Sequence, residues 1–296
     1  MKRFVIVSDS CCDLEKELRE RYDIDYLPMH FTVDGKDYLA DLDWKELSYR
    51  EFYNFMRNGK RIFTSQVNET QYFEAFEKYI LDGYDILSIS CSSALSASVK
   101  ESRIAKEKLQ EKYPNAKIIC IDALVACYGL GLLCIRAAEL REQGKSLDET
   151  AAWIEANKLT MHQEATPEKL TYLKQAGRVS ASTAFFGGLL NIKPIIISDA
   201  IGQNAAVEKV KGRQVSIERL VDRCLEQIID VPYQRFFISH ADCIEDAEKL
   251  KNVLLEKLGK VVDVHIGIIS PSVGASVGPG TLGLYYYGEE VTFNKP

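Results

Sequence analysis

The pentapeptide Gly274-Ala275-Ser276-Val277-Gly278 has the G-x-S-x-G spacing of a nucleophile elbow, where a serine sits on a sharp strand-to-helix turn with its hydroxyl exposed. In that fold an acid and then a histidine follow the serine along the chain. Here all four histidines, at 30, 162, 240 and 265, precede Ser276, and Glu289 and Glu290 are the acids behind it. A serine-dependent esterase or acyl transferase using Ser276 is therefore a rival reading rather than the leading one. Judged by composition, the stretch 270–283 is glycine-rich around Pro279 and suits either a structural turn or a loop facing a ligand. Two hydroxyl clusters, Thr64-Ser65-Gln66 and Ser92-Ser93-Ala94-Leu95-Ser96, stand where helices are predicted to begin. A loop that leaves a parallel strand and opens a helix offers unpaired N–H groups and the positive end of the helix dipole, a setting for an anion. Ser96 as a plain N-cap is the alternative. Asp9 and Asp13, just after the first predicted strand, are either a pair in a site or helix caps.

Other chemistries find no support. Gly144-Lys145-Ser146 resembles the tail of a phosphate-binding loop, but Glu139 stands where that loop needs glycine. Ser146 with Glu149 reads instead as a capping box. Neither an H-E-x-x-H helix nor an EF-hand loop is present, and Gly129-Leu130-Gly131 lies inside a helical stretch, so neither a metal nor a dinucleotide cofactor is expected. The cysteines at 11, 12, 91, 120, 127, 134, 224 and 243 form no C-x-x-C pair and read as small buried hydrophobes of a protein in a reducing cytoplasm.

The elements that must position these residues belong to an ordinary globular chain of 296 residues, with 37 basic and 43 acidic side chains and 46% hydrophobic residues. An acidic balance without a basic block argues against nucleic acid or an anionic membrane as the main partner. No apolar run approaches the ~20 residues that span a bilayer, so stable membrane insertion is not expected. The initial run 4–8 is shorter than the core of a signal peptide. Short β-branched runs at 4–8, 86–90 and 117–121 alternate with amphipathic helices, the pattern of a parallel sheet with covering helices. Ser48 with Glu51, and Asn68 with Gln71, mark two helix starts, and Gly59 and Gly83 the matching stops. Further helices are predicted near 96–112 and 124–143.

From about residue 159 the pattern changes. Thr166-Pro167 predicts a helix start, and 193–198 with 207–210 around Gly202 predicts a hairpin, in a region that also holds Gly177, Gly187 and Gly188. Helices near 215–229 and 245–258 then alternate with strands at 235–239 and 261–268. The expected organisation is an N-terminal parallel α/β domain, 1–158, and a C-terminal mixed α/β domain, 159–296, with a ligand cleft between them.

The residues then resemble the DegV family, bacterial fatty-acid-binding proteins that act as acyl carriers for a separate fatty acid kinase. The resemblance covers essentially the whole chain. It runs through Asp9-Ser10-Cys11-Cys12-Asp13-Leu14, Thr64-Ser65-Gln66, Ser92-Ser93-Ala94-Leu95-Ser96 and Leu173-Lys174-Gln175-Ala176-Gly177-Arg178-Val179-Ser180. It continues through Leu189-Leu190-Asn191-Ile192-Lys193-Pro194, Glu208-Lys209-Val210-Lys211-Gly212-Arg213 and the glycine-rich loop through Gly280. Each motif is weak alone, and seven in order are specific.

The resemblance implies a two-domain α/β protein with a Rossmann-like N-terminal half. It implies one long-chain fatty acid as ligand, with its carboxylate on Thr64 and Ser96 and with Ser276 nearby, and its tail in an apolar tunnel. It further implies a kinase partner that phosphorylates the presented carboxylate, no catalytic residue in this chain, and no cofactor. Ser65, Ser93, Arg178, Lys211 and Arg213 are secondary candidates for ligand or partner contact. The chain departs from the family in having Ser276 where many members carry histidine, Val67-Asn68 for Pro-Ser, and Ala97 for glycine. Lys211 also stands where arginine is common, and Gln214-Val215 where lysines are. A carrier of a different amphiphile is the remaining alternative.

Overall fold

A computed structural model describes residues 3–180 and 191–294. The quoted Gly187, Gly188, Leu189 and Leu190 lie outside the described residues. Three sheets organise the described residues. The first is parallel, in the order β2 (Ile24–Leu27), β1 (Phe4–Asp9), β6 (Asp85–Ser90), β7 (Ile118–Asp122). Its central strand β6 is buried at every residue, as a sheet covered on both faces requires. The second is a small antiparallel sheet, β4 (Lys36–Leu39), β3 (His30–Val33), β5 (Ile62–Ser65). The third is mixed, in the order β10 (Asn204–Lys211), β9 (Ile192–Ser198), β8 (Met161–Thr166), β13 (Leu282–Tyr287), β11 (Phe236–His240), β12 (Val264–Ile268). Within it only β11 and β12 pair parallel.

Both predicted capping boxes are formed, opening α2 (Tyr49–Arg57) and α3 (Glu69–Leu81), and Ser146 with Glu149 opens α6 (Leu147–Asn157) in the same way. The strands predicted at 4–8, 86–90 and 117–121, and the hairpin about Gly202, are present within a residue or a few at each end. Helix α4 (Ser98–Lys112) begins two residues after the predicted Ser96, and α5 (Cys127–Glu142) three residues after the predicted Leu124. The helix predicted at Thr166-Pro167 begins only at Thr171, as α7 (Thr171–Ala176), because Thr166 is the last residue of β8. The polar, buried sequence of β8, His162-Gln163-Glu164 at its heart, has no apolar run to announce a strand. The glycine-rich stretch 270–283 is not a loop throughout: it holds α10 (Pro271–Val277) and enters β13.

One apolar core joins the parallel sheet to residues of the later half, including Phe237, Ile269, Tyr285 and Tyr287. A second lies between the mixed sheet and the helices α8 (Arg213–Gln227) and α9 (Ile244–Leu258). Helix α5 has twelve buried residues and is apolar on every face from Cys127 to Ile135, because it lies between the parallel sheet and β8, β11 and β13. It approaches the turn Ser10–Cys12 closely at Gly131, where a Cβ would stand 2.6 Å from the Cys12 carbonyl oxygen.

The two halves also meet through polar contacts on residues 269–272. Tyr53 donates its hydroxyl to the Ile269 carbonyl at 2.8 Å, and the Ser10 and Ser272 hydroxyls are 2.8 Å apart. Asp13 Oδ1 accepts from Ser270 N at 3.0 Å. Its Oδ2 has no hydrogen-bond partner, and burial pushes this carboxyl up to about 7.

Two outcomes follow. Gly131→Ala overpacks the contact with Cys12 and lowers unfolding stability by about 1–3 kcal/mol in a denaturant titration; an unchanged midpoint would mean that α5 shifts freely. For Asp13, the unfolded carboxyl ionises near its ordinary value of about 4 while the folded one stays protonated toward 7, so the wild type loses stability as pH rises through that window. Asp13→Asn keeps an acceptor for Ser270 and removes this loss. The variant therefore gains on the wild type as pH rises from about 4 to about 7, and parallel pH profiles for the two proteins would contradict the assignment.

Candidate functional site

Residues just beyond the carboxyl ends of β1, β6 and β7 share a cavity with residues of the mixed sheet, at the edge where open α/β sheets receive ligands. It encloses about 920 Å³ of space outside atoms, its open mouth included. Both halves of the chain supply its walls: Cys11, Met29, Thr64, Cys91, Ser96 and Cys127 come from the first, and Gln163, Leu173, Arg178, Ile196, Ser276 and Tyr285 are among those from the second. Aliphatic side chains of Leu95, Leu173, Ile196, Ile269, Val273 and Val277 make much of the lining. Arg178 is the one charged side chain among the described lining residues.

Thr64, Ser96, Ser276 and Arg178, far apart in sequence, thus open on one cavity. Thr64 reaches it from β5, four residues before the Asn68 cap, and so belongs to a strand end rather than a helix beginning. Ser96 likewise precedes the N-cap, which is Ala97. Its hydroxyl accepts from Ser98 N at 3.3 Å and lies 3.0 Å from the Ser98 hydroxyl. The serine-rich loop before it is pinned by Ser92, whose hydroxyl donates to the Gly202 carbonyl at 2.8 Å. Gly202 has φ +77°, and a Cβ there would meet that hydroxyl at 2.2 Å, so the hairpin tip must be glycine to seat this loop.

Ser276 lies in the last turn of α10. The strand-to-helix turn that a nucleophile elbow needs falls instead between Ile268 and Pro271, and among the described residues no histidine is within hydrogen-bond distance of the Ser276 hydroxyl. The two glycines of the pentapeptide have packing reasons. A Cβ at Gly274 would stand 2.6 Å from the Tyr53 hydroxyl, and Gly278, at φ +77°, lies against the Tyr172 ring. They let α10 sit close on α2 and α7 and so fix where Ser276 points along the cavity wall.

Arg178 is held from two directions. Ala126 N donates to Gln163 Oε1 at 3.0 Å, Gln163 Nε2 to Asn204 Oδ1 at 3.0 Å, and Asn204 Nδ2 to the Arg178 carbonyl at 3.0 Å. Its own Nε donates to the Leu95 carbonyl at 3.1 Å, which sets the guanidinium beside Ser96. No feature of the sequence singled out Gln163 or Asn204 for this relay. Thr64, Arg178 and Ser276 also line an open groove that carries Lys60, Arg61 and Lys169, so these three residues stand at the mouth.

The remaining candidates lie off the cavity wall. Ser65 and Ser93 are exposed neighbours of the lining residues, and Lys211 is exposed at the end of β10. Arg213 is engaged in structure: it bonds Asp246 Oδ2 at 2.9 Å, the Thr166 carbonyl at 3.2 Å and the Gly280 carbonyl at 2.6 Å. It thereby braces the exit of α10 against the end of β8. Asp9 caps the turn Ser10–Cys12 by accepting from Cys11 N, and its other oxygen accepts from Cys91 N. Burial raises its carboxyl above the ordinary range.

A family model described as "Uncharacterised protein, DegV family" matches residues 3–289. A DegV domain-containing protein of Clostridium perfringens is 40% identical over 289 residues, spanning 98% of this chain and 99% of its own length. Among solved structures, a DegV family protein of Thermus thermophilus described as binding fatty acid superposes with a TM-score of 0.85 at 24% identity, covering 97% of this chain and 99% of that one. A stearic-acid-binding protein of Eubacterium ventriosum superposes equally well, at 0.85 and 23% identity, covering 97% and 98%. On the match along nearly its whole length, and on the curated relative at 40% identity, the chain belongs to the DegV family.

Proposed function

We propose that this chain binds a long-chain fatty acid in the cavity and carries it to a separate kinase that forms the acyl phosphate, contributing no catalytic residue of its own. The observation that carries the reading is the polarity of the cavity: an interior of aliphatic and sulfur side chains, whose polar members Gln163, Asn204, Ser272, Thr281 and Tyr285 are hydrogen-bonded within the protein, with one guanidinium and three hydroxyls at or near its mouth. A carboxylate leaving water needs donors to offset its desolvation. In this reading the hydroxyls of Thr64, Ser96 and Ser276 donate to it, and Arg178 supplies the charge that a shorter Ser276 does not. The tail, at about 0.8 kcal/mol per buried CH₂, contributes on the order of ten kcal/mol before ordering costs. The fatty-acid binding described for the T. thermophilus and E. ventriosum proteins of this fold supports the assignment.

The same reading treats residues 1–158 and 159–296 as two domains with the ligand between them, as a cavity walled from both suggests. It places the kinase at the open groove of Lys60, Arg61 and Lys169, onto which the mouth opens, with exposed Lys211 as a further contact and Arg213 as a residue that shapes the site. A cytoplasmic location belongs to the same account, since eight free thiols are kept by a reducing compartment.

Replacing Thr64 and Ser96 together by alanine lowers affinity for oleate by at least about tenfold, the expected loss for hydrogen bonds to a charged group. The wild type, in competition, prefers the acid to its methyl ester, and the double variant loses that preference. Unchanged affinity would put the carboxylate elsewhere, and a wild type indifferent to the ester would point to another amphiphile. Arg178→Gln weakens the acid by about tenfold and leaves the ester untouched. Equal losses for the two would mean that Arg178 acts by holding Leu95 rather than by pairing with the ligand.

A further inference from the structure

The inner wall of the cavity gathers sulfur. Cys11 follows β1 and Cys91 follows β6, the two central strands of the parallel sheet, and extending their register sets Cys91 abreast of Ser10, one residue before Cys11. The Asp9 carboxyl holds both backbones: Oδ1 accepts from Cys11 N at 3.0 Å and Oδ2 from Cys91 N at 2.9 Å. Two amides fixed on the two oxygens of one buried carboxyl, at adjacent positions of neighbouring strands, bring the two backbones near each other, and a disulfide further needs their side chains to converge. Both side chains line the cavity, and each thiol is the strongest single influence on the ionisation of the other. The Met29 sulfur lies 3.7 Å from Cys11 Sγ. Cys127 shares the wall, but its thiol faces Asp13 and Tyr285 instead.

The Cys91 contact and burial together hold the Cys11 thiol well above the ordinary thiol range, so it stays protonated and slow toward electrophiles in bulk water. An oxidant delivered into the cavity meets it at a much higher effective concentration.

We propose that Cys11 and Cys91 form an oxidisable dithiol in the cavity wall, whose oxidant is a hydroperoxide carried on an acyl chain. The proposal rests on the fatty-acid reading of the cavity. One sulfur attacks the distal oxygen of the hydroperoxide and the O–O bond breaks. The hydroxyl passes to sulfur as a sulfenic acid, and the departing alkoxide takes the thiol proton to become the alcohol. The second sulfur then displaces that hydroxyl, which leaves with the second thiol proton as water, and the S–S bond forms. Two thiols and one hydroperoxide thus give one disulfide, one alcohol and one water.

The test treats ligand-free protein with linoleic acid hydroperoxide, blocks remaining thiols with iodoacetamide after unfolding, and maps the peptides by mass spectrometry. A Cys11–Cys91 cross-link reversible by dithiothreitol is expected, with one hydroxy acid per chain and a rate at least about tenfold above that with equimolar hydrogen peroxide. Cys11→Ser and Cys91→Ser each form no such cross-link. Recovery of both thiols alkylated, a cross-link to another cysteine, or equal rates with the two oxidants would overturn the proposal. Native mass spectrometry with linoleic acid separates the two readings. A chain that binds the acid yet keeps both thiols reduced refutes the dithiol alone, whereas one that binds no acid removes the ground on which the proposal stands.

Discussion

The cavity exists because residues 269–274 are pressed against the first half of the chain. The Tyr53 hydroxyl on the Ile269 carbonyl, the Ser10–Ser272 pair and the Asp13–Ser270 contact fasten the start of α10. Gly274 then lets the helix descend onto Phe52 and Tyr53 without a side chain in the way. These contacts close one wall of the space at the carboxyl edge of the parallel sheet. They span more than two hundred residues of sequence, so the cavity is a property of the folded chain and of no local segment.

The cost of this joint is borne by buried polar groups. Asp13 keeps one carboxyl oxygen without a partner, and Asp9 spends both of its oxygens on the backbones of Cys11 and Cys91. Each raised carboxyl marks a place where burial overrides the ordinary preference for charge. The mouth is built differently. Its hydroxyls are partly or wholly exposed, its guanidinium is positioned by donating to the Leu95 carbonyl, and the relay from Gln163 and Asn204 holds the Arg178 backbone. A buried interior that excludes charge and an accessible rim that supplies donors are together what an amphiphile with one anionic end requires.

Much of this was legible in the sequence, and the limits have physical causes. Apolar runs of five or six residues announced β1, β6 and β7, and side-chain capping pairs announced α2, α3 and α6. Strands β3, β4 and β5 have four residues each, too few for alternation to stand out, and β8 hides behind three consecutive polar side chains that the fold buries. Thr64, Ser96 and Ser276 stood out by residue type and spacing, a family resemblance gave them a ligand and added Arg178, and the structure brings all four to one cavity. Gln163, Asn204, Cys11 and Cys91 were not separable from ordinary core and strand residues, because their roles arise from partners 41, 26 and 82 positions away. The G-x-S-x-G match shows the converse: its spacing is genuine, but Gly274 and Gly278 are required by packing against Tyr53 and Tyr172, not by an elbow.

The measurement that tests the account most directly is native mass spectrometry of the protein as purified from a bacterial host, followed by organic extraction and identification of what is released. The account predicts one long-chain fatty acid per chain, lost on extraction and regained on adding the free acid. A protein that arrives empty and takes up no added fatty acid would contradict it.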